Sequence, residues 1–409
     1  VILVERRDGS VPVFSQAEMD RRHAHLRQRM DAQGLDGVLA TSYAAFYYLT
    51  GAPIHPFGRP MAVVVPRDGE PVIVESIIER GHTRLQSRIE DIRVYYDNNP
   101  TPALDNPRPP VESLVYHLAQ LVNERGLANR RIGVEEATLP LGHYEALRKA
   151  LPAAELVGAS DLLDRLRLVL SAEELALVRA ADAAADLGQQ MALDLIRPGR
   201  TAYEVTAPIE AAMREHILRT HADMPFHLHA RLGLGSAAKG SGHSEWTTWG
   251  LASRVEPGQI LETVFSVWLW GYWGNVERAV AVGEPAGRQR ALFEIMVEMN
   301  EAVIAAVRPG LPVAEIDRMC KARFARHDLP TPTGAGCGRG ITSYEGNARE
   351  LKMDLRLYSD VVLEPGMAFS LEPHVHAEGA GVFRHCNTII VTPDGCEVDS
   401  KVPRGVLWV

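Results

Sequence analysis

A chain of 409 residues is longer than one hydrophobic core ordinarily serves, so two domains are expected. Apolar residues at 46% and charged residues at 23% are the proportions of a soluble globular protein. A net charge of −9 argues against nucleic acid or an anionic membrane surface as a partner, and no apolar run approaches the ~18 residues of a spanning helix.

The N-terminal VILVERRDGS lacks a basic-then-apolar signal pattern, so a cytoplasmic address is expected. An amphipathic stretch from Gln16 to Gln33 predicts a helix capped by Gly34. β-Rich runs follow: LDGVLATS, MAVVVP, PVIVES, IRVYYD and RIGVEE. The helical patterns VESLVYHLAQLVNERG and LGHYEALRKAL separate the later runs, which predicts a mostly parallel sheet with helices packed on it. The Pro-rich segment 98–110 reads as a loop. At Ser171 a long helix opens, with Ser171 as N-cap and Glu174 at the capping-box position. The domain boundary is expected between about Ser160 and Ser171, giving an N-terminal domain over 1–165 and a C-terminal one over 166–409.

The C-terminal part contains an internal repeat: IRPGRTAYEVTAPIEAAMREH (196–216) aligns without gaps on VRPGLPVAEIDRMCKARFARH (307–327). Each copy follows a long helix, turns at Arg-Pro-Gly, enters a second helix, and gives way to a Gly-rich stretch and strands. Those strands are ILETVFSVWLWGYW with ERAVAVG, and MAFSLEPHV with CNTIIVT. Two such halves predict a pseudo-twofold α+β domain with a pocket where the two sets of strands meet. The cysteines Cys320, Cys337, Cys386 and Cys396 are too few for a disulfide framework, and free thiols are expected.

The segments SAEELALVRAADAAADLG, GYWGNVERAVAVG, VLEPGMAFSLEP and FRHCNTIIVTPDG, together with the earlier ATSYAAFYYLTG, resemble the methionine aminopeptidase, prolidase and creatinase superfamily over essentially the whole chain. The resemblance implies a creatinase-type α/β N-terminal domain and a C-terminal "pita-bread" domain. Metallopeptidases of the superfamily hold two metal ions with two Asp, one His and two Glu, because hard divalent ions need such ligands and a pair needs bridging carboxylates. The resemblance places Val264 and Asn275 at the Asp positions, Cys337 at the His position, Glu372 at the first Glu and Cys386 at the last. Val264 offers no donor atom, so no metal and no cofactor is expected.

At specific points the sequence resembles the creatinase branch, which hydrolyses a guanidino C–N bond without metal. GHSEWTT matches the segment bearing its catalytic histidine, which would make His243 the acid/base. Glu277 in GYWGNVER and Glu372 match its substrate carboxylates. FGRP supplies Phe57 and Arg59, expected to act on the substrate across a subunit interface, and Arg349 falls near a second carboxylate-binding arginine. The chemistry suits that set: a histidine near pKa 7 can move the proton of water to a leaving nitrogen. Carboxylates suit an amidine-like cation, and arginines suit a carboxylate. Where that branch has a second histidine this chain has Cys386; His385 is adjacent, but neighbouring strand residues face opposite sides.

Cys337 and Cys386 are open to three readings: inert fillers, a nucleophilic or redox thiol served by Arg339, Arg384 or His385, or soft ligands for one ion with Glu372. The tryptophans Trp246, Trp249, Trp268, Trp270 and Trp273 are open to two, core packing or a cation–π box in which Trp273 touches substrate. In strand alternation Trp268 and Trp270 would share a face, with Trp273 near the turn.

The leading expectation is a metal-independent, creatinase-like hydrolase of a C–N bond in a small nitrogenous metabolite, acting as a homodimer with a shared site. His243, Glu277, Glu372, Cys386 and Cys337 are its catalytic candidates; Phe57, Arg59, Arg349, Trp273 and His385 are its substrate-binding candidates. Two alternatives stay open: a non-catalytic scaffold on a retired peptidase fold, and a thiol-dependent transferase or lyase using Cys337 or Cys386.

Overall fold

The computed structural model describes residues 13–53, 59–96, 108–222, 224–235, 250–329, 334–341, 350–377 and 379–409. It divides into two compact units between Arg167 and Leu168.

In the N-terminal unit the elements run α1 (Gln16–Gln33), β1 (Gly37–Ala40), α2 (Tyr43–Thr50), β2 (Ala62–Pro66), β3 (Val72–Ser76), α3 (Arg80–Gln86), β4 (Ile92–Tyr95), α4 (Pro110–Glu124), β5 (Arg131–Val134), α5 (Leu141–Ala150), β6 (Glu155–Gly158) and α6 (Ser160–Leu166). Helix α1 begins where Ser15 Oγ accepts from Glu18 N (3.1 Å) and ends at Gly34, whose φ of 65° a side chain would resist. The sheet order is β4-β3-β2-β1-β5-β6. It is more mixed than the strand–helix alternation predicts: β1–β5, β5–β6 and β3–β4 are parallel, whereas β1–β2 and β2–β3 are antiparallel. Only five residues separate β2 from β3, too few for a crossover. Val64, Val74, Leu118, Leu121 and Ile132 form part of the core between sheet and helices.

The C-terminal unit opens with α7 (Ala172–Leu195), whose capping box between Ser171 and Glu174 is complete. Then come α8 (Ala202–Thr220), β7 (Phe226–Gly235), β8 (Ile260–Leu269) and β9 (Tyr272–Ala281). The second half comprises α9 (Gly287–Ala306), α10 (Val313–Ala325), β10 (Gly336–Gly338), β11 (Glu350–Leu355), β12 (Ala368–Leu371), β13 (His374–Ala377), β14 (Gly381–Thr392) and β15 (Gly395–Val398). The two Arg-Pro-Gly turns join α7 to α8 and α9 to α10, with Gly199 and Gly310 at φ 90° and 84°. The repeat therefore builds two like halves.

Their strands join in one nine-stranded sheet with the path β11-β10-β12-β14-β9-β8-β7, β13 and β15 pairing onto β14. The halves meet at β9 and β14 through two register pairs, Glu277 with Cys386 and Arg278 with His385. On the buried side of that seam Arg278 Nη1 donates to the carbonyls of Glu277 and Cys386, and its Nη2 to Asn387 Oδ1. Helix α7 approaches β9 so closely that a Cβ on Gly274 would stand 2.4 Å from the Asp182 nitrogen. Phe293, Met296, Phe324, Phe369, Phe383 and Ile389 belong to the core of the second half.

One detail differs from the alternation read above. Strands β8 and β9 form a hairpin turning at Trp270 and Gly271, both with positive φ (49° and 76°). Trp268 and Trp273 thus stand opposite each other on one face, and Trp270 leaves the strand to occupy the turn.

Candidate active site

Directly opposed residues of antiparallel strands share a face, and each strand alternates. The register therefore gathers Glu262, Val264, Ser266 and Trp268 of β8 with Trp273, Asn275 and Glu277 of β9. Cys386 of β14, Ser370 of β12 and Cys337 of β10 continue the same face. Glu277, Glu372, Cys337 and Cys386 are thus brought together from three strands and the end of a fourth, all buried. His243, Phe57 and Arg349 lie outside the described residues, as do Trp246 and Trp249. Arg59 belongs to the N-terminal unit, just before β2, and is partly buried.

His385 is a correction. It pairs with Arg278 on the opposite face, is fully buried, and packs against Phe293 with ring centroids 6.4 Å apart. Burial, and then the nearby Arg278 charge, hold its imidazole well below the ordinary histidine pKa. It is a neutral core histidine, removed from the face that carries Glu277, because β14 keeps strict alternation here.

The centre of the face is Arg384. Its guanidinium forms ion pairs with Glu277, with Glu372 (Nη2 to Oε2, 2.8 Å) and with Glu262 (Nη1 to Oε1, 3.4 Å). Three carboxylates around one cation cannot all ionise cheaply. Burial pushes the Glu277 carboxyl up to about 7, with Glu372 and Glu262 adding to the rise against the pull of Arg384. A carboxyl of that kind exchanges its proton near neutrality.

Asn275 organises the other side. Its Nδ2 donates to Glu277 Oε1 (2.8 Å) and to Cys386 Sγ (3.5 Å), its Oδ1 accepts from Ser266 Oγ (2.8 Å), and its backbone nitrogen donates to Asp182 Oδ1 (2.9 Å). Cys337 Sγ faces Glu372 Oε1 at 3.9 Å and Ser370 Oγ at 3.7 Å. The Cys386 thiol is pushed well above its ordinary pKa by burial and by Glu277 and Glu372, against the pull of Arg339 and Arg384. That is the reverse of what a thiolate nucleophile needs. Trp268 and Trp273 stack nearly parallel (14°, 6.0 Å), and the guanidinium of Arg339 lies 4.1 Å over the Trp273 ring. A cation–π position therefore exists, but this chain's own arginine fills it.

Glu262 and the central place of Arg384 escape a reading of motifs. Both were accessible through alternation: Glu262 is two residues from Val264, and Arg384 two from Cys386.

A family model described as metallopeptidase family M24 matches residues 176–393, more than half of the chain, and one described as the creatinase/prolidase N-terminal domain matches 22–169. The chain belongs to metallopeptidase family M24. It is similar to creatinase of Bacillus sp. (strain B-0618), 29% identical over 403 residues that span 96% of this chain and 93% of the relative. It is also similar to the Xaa-Pro dipeptidase of Lactobacillus helveticus, 25% identical over 85% of this chain and 88% of that one. Among solved structures the Xaa-Pro dipeptidase from Bacillus anthracis matches with a TM-score of 0.74 and 25% identity, over 96% of this chain and 100% of that one. A dipeptidase from Mycobacterium ulcerans shares the fold at a TM-score of 0.78 and 24% identity, over 97% and 99%. The pita-bread architecture and the creatinase and prolidase kinship expected from the motifs are what these matches show, and the family is one of hydrolases.

The two-metal centre of the family does not fit this face. Val264 offers no donor, Asn275 is a neutral amide already committed to three partners, and Arg384 is ion-paired with both Glu277 and Glu372. Among the described residues, one group could bring three ligand atoms within 4.8 Å of one another: Glu277, Glu372 and Cys386.

Proposed function

We propose that this protein is a creatinase-like hydrolase that cleaves a C–N bond of a small nitrogenous metabolite without a metal pair. The substrate class is an amidine, guanidino compound or amide bearing a carboxylate. The observation carrying this reading is the ion-paired cluster of Arg384 with Glu277 and Glu372 at the seam, beside Val264. Glu277 and Glu372 here grip a planar guanidinium, the same group a guanidino substrate presents.

In this reading His243 takes a proton from water as it attacks the carbon and returns it to the leaving nitrogen. Glu277, with a carboxyl near pKa 7, shares the proton traffic, and Glu372 with it holds the cationic end. Phe57 and Arg59 would reach the substrate from a partner subunit in a homodimer, with Arg349 assisting. The support is the similarity to creatinase over nearly the whole chain and the survival of both carboxylates on one face.

The test is turnover of creatine-like amidines, cyclic amidines and small amides by the wild type and by His243→Ala. Turnover should vanish in the variant while binding persists. Full activity in His243→Ala would sink the assignment. A second reading, a single ion held by Glu277, Glu372 and Cys386 for amide hydrolysis, has those clustered ligand atoms in its favour.

A further inference from the structure

Two arginines stand on this face, and their surroundings are opposite. Arg384 meets three carboxylates. Arg339 is also fully buried, yet the groups within hydrogen-bond reach of it are neutral: Thr388 Oγ1 (from Nε, 3.2 Å), the Asn275 carbonyl (from Nη2, 3.2 Å) and Cys386 Sγ (from Nη2, 3.5 Å). Its Nη1 is buried without a hydrogen-bond partner among the described residues, and so is Nε1 of Trp273, the indole on which it stacks. Asp182, Cys337 and Glu372 lie within electrostatic reach of it. The Asp182 carboxyl is itself driven towards its neutral form by burial.

A buried guanidinium with an idle N–H, beside a second idle N–H donor, is costly unless an acceptor arrives to take both. We infer that Arg339 and the Trp273 indole N–H form a carboxylate subsite within the C-terminal unit. The inference rests on the reading of the site as one for a small carboxylate-bearing nitrogen compound, and gives its anionic end a second anchor independent of Arg59 and Arg349. The ligand lies with its cationic end towards Glu262, Glu277 and Glu372, and its carboxylate towards Arg339. The charges of the face, acidic about Arg384 and cationic at Arg339 with Cys386 between them, then select a small zwitterion.

Three probes separate the ends: acetate (anion alone), methylguanidine (cation alone) and guanidinoacetate (both). Their binding to the full-length protein is followed by calorimetry and by tryptophan fluorescence, for the wild type, Trp273→Phe and Arg339→Lys. Trp273→Phe keeps the stack and removes one N–H; Arg339→Lys keeps the charge and removes the fork. Acetate and guanidinoacetate should weaken about ten-fold or more in each variant, and methylguanidine should not change. If Arg339→Lys fails to fold, Trp273→Phe alone still decides. Equal binding of acetate by wild type and Trp273→Phe, or no binding of acetate by the wild type, overturns the subsite. So does a thiolate absorption near neutral pH that Cys386→Ser abolishes, because Arg339 would then have Cys386 as its counter-ion. Carboxylate binding that depends on Arg339 without any hydrolysis leaves the subsite standing and sinks only the proposed reaction.

Discussion

Arg384 is the residue on which the candidate site turns, and its role comes from arithmetic. One guanidinium serves Glu262, Glu277 and Glu372, so removing it strands two buried carboxylates and a partly buried third. Arg384→Met should destabilise the protein by about 3–5 kcal/mol in urea unfolding. Adding Glu277→Gln should restore part of that loss, a coupling that a double-mutant cycle reads directly. Glu277 also carries a pH signature. Its carboxyl rises from 4.5 to about 7 on folding, so the folded state keeps a proton that the unfolded state has already lost. Stability should fall as pH rises between those values, and Glu277→Gln should flatten that fall. Unfolding midpoints at pH 5 and pH 8 check it; an unchanged slope in the variant would remove Glu277 as the proton carrier. Of these side chains, Glu277 and Glu372 were legible in the sequence because charged residues in apolar strands ask for a reason. Alternation puts Arg384 on the face of Cys386, but its grip on three carboxylates was not legible, because they come from three different segments.

At the scale of elements, the site depends on how tightly α7 and the hairpin of β8 and β9 pack. Gly274 faces the α7 backbone, where an added Cβ would meet the Asp182 nitrogen at 2.4 Å and the Ala181 carbonyl carbon at 2.6 Å. Gly188 of α7 faces side chains instead, Met213 Sδ at 2.7 Å and the Phe265 ring at 2.8 Å. Methionine can rotate away, whereas backbone cannot. Gly274→Ala should therefore cost about 3 kcal/mol and loosen the Asn275–Asp182 bond, while Gly188→Ala should cost less. Thermal unfolding of the two variants ranks them, and the reverse ranking would refute the close-packing account. The periodicities located α1, α4, α5, α7 and the repeat, because caps and Arg-Pro-Gly turns are local signals. They misplaced the β8–β9 turn, since a continuous apolar run such as ILETVFSVWLWGYW conceals its own reversal. They also passed over β6 and the short helices α2, α3 and α6.

At the scale of the whole molecule, the proposed chemistry and that of a two-metal peptidase differ in the metal content each requires. A two-metal peptidase needs donors at positions that here carry Val264 and Asn275. Purified protein at low chelator should hold less than about a tenth of an ion per chain by plasma mass spectrometry, on the ground that Val264 offers no donor and Arg384 is ion-paired with Glu277 and Glu372. One tightly held zinc or iron per chain would overturn the metal-free mechanism and favour the group Glu277, Glu372 and Cys386. Among the described residues no helix is long and apolar enough to cross a membrane.

By itself the sequence determined the two-domain α/β plan, the duplicated helix–turn–helix halves and the kinship with creatinases and prolidases, because these are written in local patterns and ordered motifs. It also led to the expectation that the paired-metal ligands are replaced, since the resemblance puts Val264 and Asn275 at two of their positions. The tertiary structure alone decided which side chains share a face. His385 and Cys386 are neighbours in the chain and lie on opposite sides of the sheet, whereas Arg339 and Trp273, 66 positions apart, are stacked. Strand register converts one kind of proximity into the other, and register is set by long-range pairing that no local window contains.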